Sequence, residues 1–500
     1  MSSSSSNFAI NIDESEHLLK AEDTLPVNTK AINLDVSTKS SLLSNWAETV
    51  HVEEDKLVRY PTTKVEIIDL IENNDKIRCA GAMHSCAPLI ASEGIIMSMT
   101  KMDKILGVDV DTKRVRCESG VRIHDLCTEL AKYDLAVGTL GTIDWQTISG
   151  AVMTGTHGGS LTVPSLHAFV TEYTLITPNC ETIVVSKESE PKLFSALAPS
   201  MGVFGVVTEM EVQAVPLQIL EARMIAVDFD DDFIKSFQDV MESNKYCRVV
   251  IYPSIKKVTF WTANPVSSRD DAIARGAVNY PGYCNFRNKA EKVMLEEYLI
   301  LCDLGEYEGA DDVLSQVLES QLERLNHYVG QYNHILCKER NNGIPHADIE
   351  FNFDFKKNVE VLTSVMSYCE ENRVPYYNLE IRATEQDDAM MSCCQGRDAM
   401  WIDFQAKADV ATEFFGDIEK TLKPIGFRKH WAKGLDHTDA GYAMKQFPKM
   451  YEFIALMQTI DPKGKFRNNT GESWYNAMGN LIEDMDGNEV EDEKKVEDVQ

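Results

Sequence analysis

Two charged residues in the segment NLEIRATEQDD, Glu380 and Arg382, lie two positions apart. If this segment is a β-strand, the spacing places both side chains on the same face. A glutamate there can orient a hydroxyl group or take part in proton transfer, and an arginine can stabilise negative charge on a substrate oxygen. A structural ion pair has the same pattern, so both interpretations are open. The segment KHWAKG adds a second cation, Lys433, which is either a site residue or an exposed surface lysine.

Two glycine-rich segments, RCAGAMHS (78–85) and ISGAVMTGTHGGS (148–160), could hold a ligand that contains phosphate. Gly150 and Gly155 have the separation of the glycines in a Walker A loop, but Thr156 stands where that loop has its lysine. Glycine turns expose backbone N–H groups with no side chain in the way, as a pyrophosphate requires. A simple tight turn is the alternative for the second segment. No G-x-G-x-x-G follows a predicted strand and no G-x-S-x-G occurs, so neither a Rossmann NAD site nor a serine hydrolase is indicated.

The composition is typical of a globular protein and argues against several classes of partner. The chain has 500 residues, 44% of them hydrophobic and 26% charged, and a formal net charge of -30. This charge argues against binding to nucleic acid or to an anionic membrane. The 12 cysteines form no C-x-x-C pair, and no cysteine–histidine cluster has metal-ligand spacing. No signal peptide, no apolar run of membrane-spanning length and no C-terminal address is recognisable, so we predict a cytoplasmic enzyme without membrane insertion.

The elements that position these residues follow from hydrophobic periodicity. Residues 76–80 and 114–118 are predicted strands, and residues 123–131 have apolar side chains at helical spacing. Residues 206–213 alternate apolar and polar side chains, as a half-exposed strand does. Residues 217–420 include aromatic runs such as CRVVIYP and VTFWTA, which favour a second α+β domain.

Four segments in a fixed order together resemble one family. They are RCAGAMHS (78–85), GTIDWQTISGAVMTGTHGG (141–159), MGVFGVVTEMEVQAVP (201–216) and KHWAKG (429–434). In combination they resemble the FAD-linked oxidases of the vanillyl-alcohol-oxidase superfamily, and within it the sugar-1,4-lactone oxidases (gulonolactone, arabinonolactone) and the alditol oxidases. The resemblance covers about residues 42–470. It implies an α+β fold in which an FAD-binding domain of the vanillyl-alcohol-oxidase type is joined to an α+β cap domain.

Composition and this resemblance together divide the chain into five parts. We expect a flexible N-terminal segment at 1–41, the FAD-binding domain at 42–216, the cap or substrate domain at 217–420, a C-terminal return carrying HWAK at 421–475, and an acidic tail at 476–500.

The resemblance implies FAD as the cofactor, bound covalently through His84. Relatives with the pattern G-x-G-H-S bond this histidine to the 8α carbon of the flavin, whereas here Met83 replaces the second glycine. A histidine that only hydrogen-bonds is the alternative. A covalent link would prevent cofactor loss and raise the flavin potential. The residues expected to contact FAD are Gly81, Ala82, Met83, His84, Ser85, Gly141, Thr142, Ser149, Gly150, Gly155, Thr156, His157, Gly158, Val206 and Val207, and His157 is expected to pack near the cofactor without doing chemistry.

The resemblance also implies that Glu380, Arg382 and Lys433 lie at the reacting face of the flavin. The reaction implied is oxidation of a hydroxyl carbon by hydride transfer to flavin N5, with molecular oxygen as acceptor and hydrogen peroxide as product. An aldono-1,4-lactone is the expected substrate and an alditol the alternative. The histidine and threonine that alditol oxidases use correspond to Asp403 and Gln405 here, which leaves this choice open. A lactone dehydrogenase with another acceptor and a non-catalytic flavoprotein are the remaining alternatives.

Gly141 aligns with an oxygen-gate position of this family. Oxidases tend to have a small residue there, and the plant lactone dehydrogenase has alanine. Oxygen must reach the flavin through a narrow gap, and in a close-packed wall one methyl group can close such a gap. The glycine therefore favours an oxidase.

Overall fold

The computed structural model describes residues 42–283, 287–337, 344, 346–434, 440–467 and 476. The predicted flexible segment lies outside these residues, and so does the predicted acidic tail apart from its first residue. Within the described part of the chain, strands and helices are mixed throughout, which confirms the predicted α+β class.

The strands of the described residues are β1 (Leu42–Ser44), β2 (His51–Glu53), β3 (Val58–Arg59), β4 (Ile77–Ala80), β5 (Ile95–Ser98), β6 (Ile105–Asp109), β7 (Arg114–Glu118), β8 (Leu135–Val137), β9 (Val170–Ile176), β10 (Thr182–Ser186), β11 (Val206–Pro216), β12 (Ile219–Asp228), β13 (Tyr246–Tyr252), β14 (Lys257–Val266), β15 (Val278–Tyr280), β16 (His327–Gln331), β17 (Ala347–Asp354), β18 (Leu379–Thr384), β19 (Ala399–Ala406) and β20 (Arg428–Lys429).

The α-helices of the described residues are α1 (Glu54–Leu57), α2 (Lys64–Glu72), α3 (Ile123–Ala131), α4 (Ile148–Thr154), α5 (Pro191–Leu197), α6 (Asp231–Ser243), α7 (Arg269–Ala274), α8 (Lys289–Asp303), α9 (Tyr307–Leu325), α10 (Tyr332–Leu336), α11 (Asn358–Glu371), α12 (Ala408–Leu422), α13 (Ala440–Gln446) and α14 (Met450–Ile460). None of the helices described is both long and apolar enough to cross a lipid bilayer.

The first half of the chain forms small sheets around the glycine-rich segments. Strands β3, β5 and β4 form a parallel sheet, and the strands of a larger sheet are neighbours in the order β10-β9-β11-β7-β6, with β8 paired to the end of β11. Elements β4, β7, α3 and β11 confirm the four predictions made from periodicity. The first glycine-rich segment therefore begins on β4 and turns at its end.

A larger sheet begins after Pro216, in the order β15-β16-β12-β14-β13-β18-β19-β17-β20. Strand β18 contains the predicted Glu380–Arg382 pair, which confirms that both side chains lie on one face. The edge strand β20 ends at Lys429, the first residue of the KHWAKG segment. It pairs with Phe351 and Asn352 of β17. The sheet therefore contains both segments with predicted catalytic residues, with strands β19 and β17 between them.

Alternation along these strands separates an apolar face from a polar one. The apolar face is buried with residues of α6, α11 and α12, and it includes Val249, Ile251, Ile349, Phe351, Ile381, Ile402 and Phe404. Burying a side chain of this size stabilises the fold by about 1.5–3 kcal/mol. Because successive side chains of a strand point to opposite faces, the residues between them face the other way.

The C-terminal part of the described chain packs against the first half of the chain. The ring of Phe453 in α14 lies 5.2 Å from that of Phe204. The backbone N–H of Ile77, at the start of β4, donates to the carbonyl of Lys465. The C-terminal return therefore supports the first glycine-rich segment.

Candidate active site

A first cavity lies at the two glycine-rich segments. Its volume is about 820 Å³, including space open to solvent. Its predicted lining residues are Gly81, Ala82, Met83, His84, Ser85, Ser149, Gly150 and Val207, which the structure brings together with Arg78, Met153, Met201 and Gly202. Much of the wall is therefore backbone and small or apolar side chains.

Gly81 lets the turn of the first glycine-rich segment pack closely against the start of helix α4. A Cβ on Gly81 would lie 2.0 Å from Thr147 Oγ1, which is too close for any real side chain. Thr147 is the N-cap of α4, and its hydroxyl accepts from the backbone N–H of Gly150. The neighbouring Met83 has a φ of 56°, in the left-handed region that favours glycine. The turn thus keeps a glycine-like conformation although Met83 replaces the glycine of the family pattern.

Arg78 connects three segments of the chain beside this cavity. Its buried guanidinium donates to the backbone carbonyls of Leu89, Met201 and Phe466 at 3.0, 2.6 and 2.7 Å. Burial lowers the pKa of Arg78 to about 10, so the side chain stays charged at neutral pH. The β4 turn, the segment before β11 and the C-terminal return are therefore fixed relative to one another.

A second cavity of about 940 Å³, including space open to solvent, adjoins the first. His84, Ser85 and Gln146 line both cavities. The indole ring of Trp46 lies 5.3 Å from the imidazole of His84 and packs at this junction. The predicted residues that line the second cavity are Gly141, Thr142, Thr156, His157, Glu380, Arg382 and Lys433.

One wall of the second cavity is the polar face of the large sheet. Glu350 in β17 and Glu380 in β18 each lie directly opposite Asp403 in β19. Three carboxyl side chains therefore form a row across three adjacent strands. Asp348 lies opposite Gln405 in the next row of the same face.

Basic side chains contact every member of this row. Lys433 Nζ lies 3.1 Å from one oxygen each of Asp348, Glu350 and Asp403. Arg382 contacts Glu350 at 3.0 Å and Glu380 at 3.2 Å. In addition, Arg248 Nε lies 3.4 Å from Glu380 Oε1. Lys433 is thus a member of a buried network and not a solvated surface lysine.

The network sets the ionisation of its members. Burial raises the pKa of Glu350, but Lys433 and Arg382 outweigh burial and hold it well below the usual value. Burial would lower the pKa of Lys433, but its acidic neighbours, Asp348 first, raise it well above the usual value. For Asp403, burial together with the neighbouring acids raises the pKa well above the usual value, although Lys433 opposes them. Burial and the neighbouring acids therefore favour the protonated form of Asp403, which can donate a hydrogen bond.

His157 packs beneath this wall. Its ring stacks on Trp401 with centroids 3.9 Å apart and planes at 10°. Its Nε2 atom lies 3.3 Å from Glu350 Oε1. Burial lowers the pKa of His157, and it lowers the pKa of His430 to about 3, so both rings are neutral. His157, His430 and Glu350 have ligand atoms within 4.8 Å of one another, but Arg382 and Lys433 already neutralise Glu350 and would repel a metal ion.

Three predicted contact residues line neither cavity. Gly155 ends helix α4 with a φ of 79°, in the left-handed conformation. Gly158 is packed so closely that a Cβ would lie 2.6 Å from Thr139 Oγ1. Val206 is fully buried at the start of β11. A role for these residues in cofactor binding stays a prediction.

Sequence reasoning missed Asp348, Glu350 and Arg248. A signal for the first two is present in the segment HADIEF, where the two acids alternate with Ile349 and Phe351. This period of two indicates a strand with one charged and one apolar face. The sequence does not show which strand the charged face lies beside, because register is set by pairing in the folded sheet.

FAD, the predicted cofactor, fits these two cavities. Its pyrophosphate needs close backbone approach, and two glycines, Gly81 and Gly150, line the first cavity. Its isoalloxazine ring needs an adjoining space with polar groups at one side, which the second cavity supplies. His84 lies where the two spaces meet, so it can reach the edge of a ring system that enters the second cavity.

Comparison with known proteins finds two family models that match successive parts of the chain. A family model for an FAD-binding domain matches residues 56–186. A family model described as D-arabinono-1,4-lactone oxidase matches residues 210–477, more than half of the chain.

Similar proteins match over most of the chain. L-gulonolactone oxidase of Mus musculus is 22% identical over 86% of this chain and 97% of its own. L-gulono-1,4-lactone dehydrogenase of Mycobacterium tuberculosis is 23% identical over 86% of this chain and 98% of its own. The crystal structure of cholesterol oxidase from B. sterolicum superposes with a TM-score of 0.70 at 17% identity, over 87% of this chain and 96% of that one, which shows a shared fold. The predicted resemblance is confirmed: the chain belongs to the D-arabinono-1,4-lactone oxidase family of FAD-dependent oxidoreductases that act on sugar lactones.

Proposed function

We propose that the protein oxidises a hydroxyl-bearing carbon of an aldono-1,4-lactone, with FAD attached through His84 and molecular oxygen as the electron acceptor. The observation that carries this proposal is the group of Glu380, Arg382 and Lys433 on the wall of a cavity that adjoins His84. When bound, FAD would accept a hydride from the substrate and return the electrons to oxygen as hydrogen peroxide. An alditol substrate and another electron acceptor are the alternatives.

The charged wall supports distinct roles for its members. The side chain of Glu380 is 15% exposed, more than those of Asp348, Glu350 and Asp403, so Glu380 is the acid best able to meet a substrate hydroxyl. A carboxylate in this position orients the hydroxyl or takes part in its proton transfer. Arg382 presents a buried, fixed positive charge that stabilises the substrate oxygen as it loses its proton.

Anaerobic mixing of the purified holoenzyme with aldono-1,4-lactones, alditols and aldoses tests the function. We expect the lactones to bleach the oxidised flavin absorbance fastest, and we expect oxygen to restore the absorbance with formation of hydrogen peroxide. Bleaching by lactones without recovery in oxygen would support a dehydrogenase instead. If no compound bleaches the flavin, the protein is not a catalyst of this kind.

In the same experiment, Glu380→Gln should slow flavin reduction on the order of 10²–10⁴-fold, because a positioned proton-transfer group is lost. Arg382→Ala should slow it about 10²–10³-fold. Lys433→Ala should impair substrate binding and flavin reduction by the substrate, while FAD stays bound. The control is Arg373→Ala, which removes an arginine that pairs with Asp311 and does not line the second cavity. Near-normal reduction in all three site variants would mean that they form only a structural ion-pair network.

Gly141→Ala should slow reoxidation of the flavin by oxygen and leave reduction by substrate nearly unchanged. The added Cβ would lie 3.2 Å from Thr156 Cγ2, on the wall of the second cavity, so it narrows the space there without a severe clash. Stopped-flow absorbance separates the two half-reactions. Gly107→Ala is the matched control, because a Cβ there meets nothing within 4 Å. If flavin reoxidation by oxygen is as fast in Gly141→Ala as in the unmodified protein, Gly141 does not control oxygen access.

The flavin should stay with the polypeptide after acid denaturation and electrophoresis, and His84→Ala should release it. The position of His84 between the two cavities and the left-handed φ of Met83 support this link. The readout is flavin fluorescence of the protein band. His51→Ala, at an exposed histidine of β2, is the control and should keep its fluorescence. Free FAD in the supernatant of the unmodified protein would disprove the covalent link and leave the fold untouched.

A further inference from the structure

A buried arginine of strand β13, Arg248, has no role in the reaction proposed for the site. Its residue is only 7% exposed. Arg248 is not among the described residues that line the second cavity, so it does not meet the substrate directly. It lines a separate, smaller cavity of about 320 Å³, including space open to solvent. Because burying a charge costs several kcal/mol, the presence of Arg248 here needs a physical reason.

Arg248 lies beside a second buried arginine, Arg382. Val249 in β13 lies directly opposite Ile381 in β18, and the two arginines are the next residues along this antiparallel pair. Burial lowers the pKa of Arg248, Glu380 raises it, and Arg382 lowers it further. The chain thus keeps two like charges side by side at a place where two apolar side chains would be less costly.

Both arginines contact the same oxygen of Glu380. Arg382 Nε lies 3.2 Å from Glu380 Oε1, and Arg248 Nε lies 3.4 Å from it. The two cations belong to different strands, and only Arg382 is among the described residues that line the second cavity with Glu380. A reactive side chain keeps a defined orientation when such outer contacts lock its rotamer. The pair of arginines therefore restricts the orientation of the Glu380 carboxylate.

The surroundings of Arg248 fix its own position. Its guanidinium carbon lies 5.6 Å from the centroid of the Trp261 ring, within the range of a cation–π interaction, and the Trp261 indole N–H donates to the hydroxyl of Tyr328. The backbone N–H of Cys247 donates to the carbonyl of Gly159 at 2.8 Å. A Cβ on Gly159 would lie 2.4 Å from the Cys247 oxygen, so this glycine permits the close contact. The second glycine-rich segment is thus joined to the start of the strand that carries Arg248.

We infer that Arg248 is a positioning residue for the proposed oxidation: together with Arg382 it holds Glu380 Oε1 and so fixes the orientation in which Glu380 meets the substrate hydroxyl. This inference rests on the proposed function, in which Glu380 orients that hydroxyl or takes part in its proton transfer. It gives the two arginines different roles. Arg382 acts from the wall of the second cavity, whereas Arg248 acts through Glu380 from outside it.

Stopped-flow reduction of the holoenzyme by D-arabinono-1,4-lactone under argon tests this role. Arg248→Ala should lower the maximal rate of flavin reduction on the order of 10²-fold, because a small misplacement of a reacting group can cost that much. The Kd of the lactone from the same titration should change much less, since Arg248 lies outside the second cavity. The matched control is Arg223→Ala, which removes an arginine of the same sheet that contacts Glu221 and is not among the described residues lining either cavity.

Two further measurements separate positioning from a general structural defect. Arg248→Lys keeps the positive charge but loses the planar fork of the guanidinium, so its maximal rate should lie between those of Arg248→Ala and the unmodified protein. Millimolar guanidinium chloride should restore part of the rate in Arg248→Ala, because the truncation enlarges the small cavity, and it should leave the control unchanged. A flavin absorbance spectrum like that of the unmodified protein confirms that each variant is folded.

Infrared difference spectroscopy of the holoenzyme reports on Glu380 without turnover. The carboxylate band of Glu380, identified by its loss in Glu380→Gln, should shift in frequency in Arg248→Ala and shift less in Arg248→Lys. If no lactone reduces the flavin, the proposed function fails, while this band still decides whether Arg248 holds Glu380.

A maximal rate and a Glu380 band in Arg248→Ala that match those of the control would overturn the inference. A loss of rate with an equal rise in the Kd of the lactone would also overturn it, because Arg248 would then act in substrate binding. Equal rates in Arg248→Lys and Arg248→Ala, or no response to guanidinium, would mean a structural defect instead. If Arg248→Ala does not fold, Arg248→Lys decides, and an unmodified rate and band in that variant would contradict positioning.

Discussion

The wall of the candidate active site depends on one electrostatic constraint, which is that three carboxyl groups buried side by side must be neutralised. The register of the large sheet makes Glu350, Asp403 and Glu380 direct neighbours. Side chains paired in this way have Cβ atoms about 4.5–5.5 Å apart. A buried, uncompensated charge costs several kcal/mol. Lys433 and Arg382 reduce this cost, and burial among the other acids raises the pKa of Asp403, which favours its uncharged form.

The fold meets this constraint by bringing the C-terminal return across the edge of the sheet. Strand β20 pairs with β17, and beyond it the backbone N–H groups of His430 and Gly434 donate to the carbonyls of Glu350 and Asp348 at 2.9 and 2.6 Å. These bonds fix the KHWAKG segment, so Lys433 reaches the acids from a defined position. The apolar side chains on the opposite face hold the same strands in register. The packing of the apolar face therefore fixes the strand register, and the register fixes the positions of the charged side chains on the opposite face.

The part of the site that depends on local sequence could be predicted, and the part that depends on register could not. Glu380 and Arg382 share a face because they are two residues apart in one strand. The glycine turn at 80–85 follows from its composition, although the left-handed φ of Met83 shows that the turn conformation survives a non-glycine residue. By contrast, Asp348 and Glu350 act through pairing with a strand about fifty residues later in the chain. No local pattern specifies that pairing.

The most direct test of the charge balance is infrared difference spectroscopy of the holoenzyme at neutral pH, comparing the unmodified protein with Asp403→Asn. Burial and the neighbouring acids keep the pKa of Asp403 well above its usual value although Lys433 opposes them. We therefore expect the C=O stretching band of a protonated carboxylic acid in the unmodified protein, and we expect its loss in the variant. If only carboxylate bands differ between the two spectra, Asp403 is ionised and the proposed neutralisation of the row is wrong.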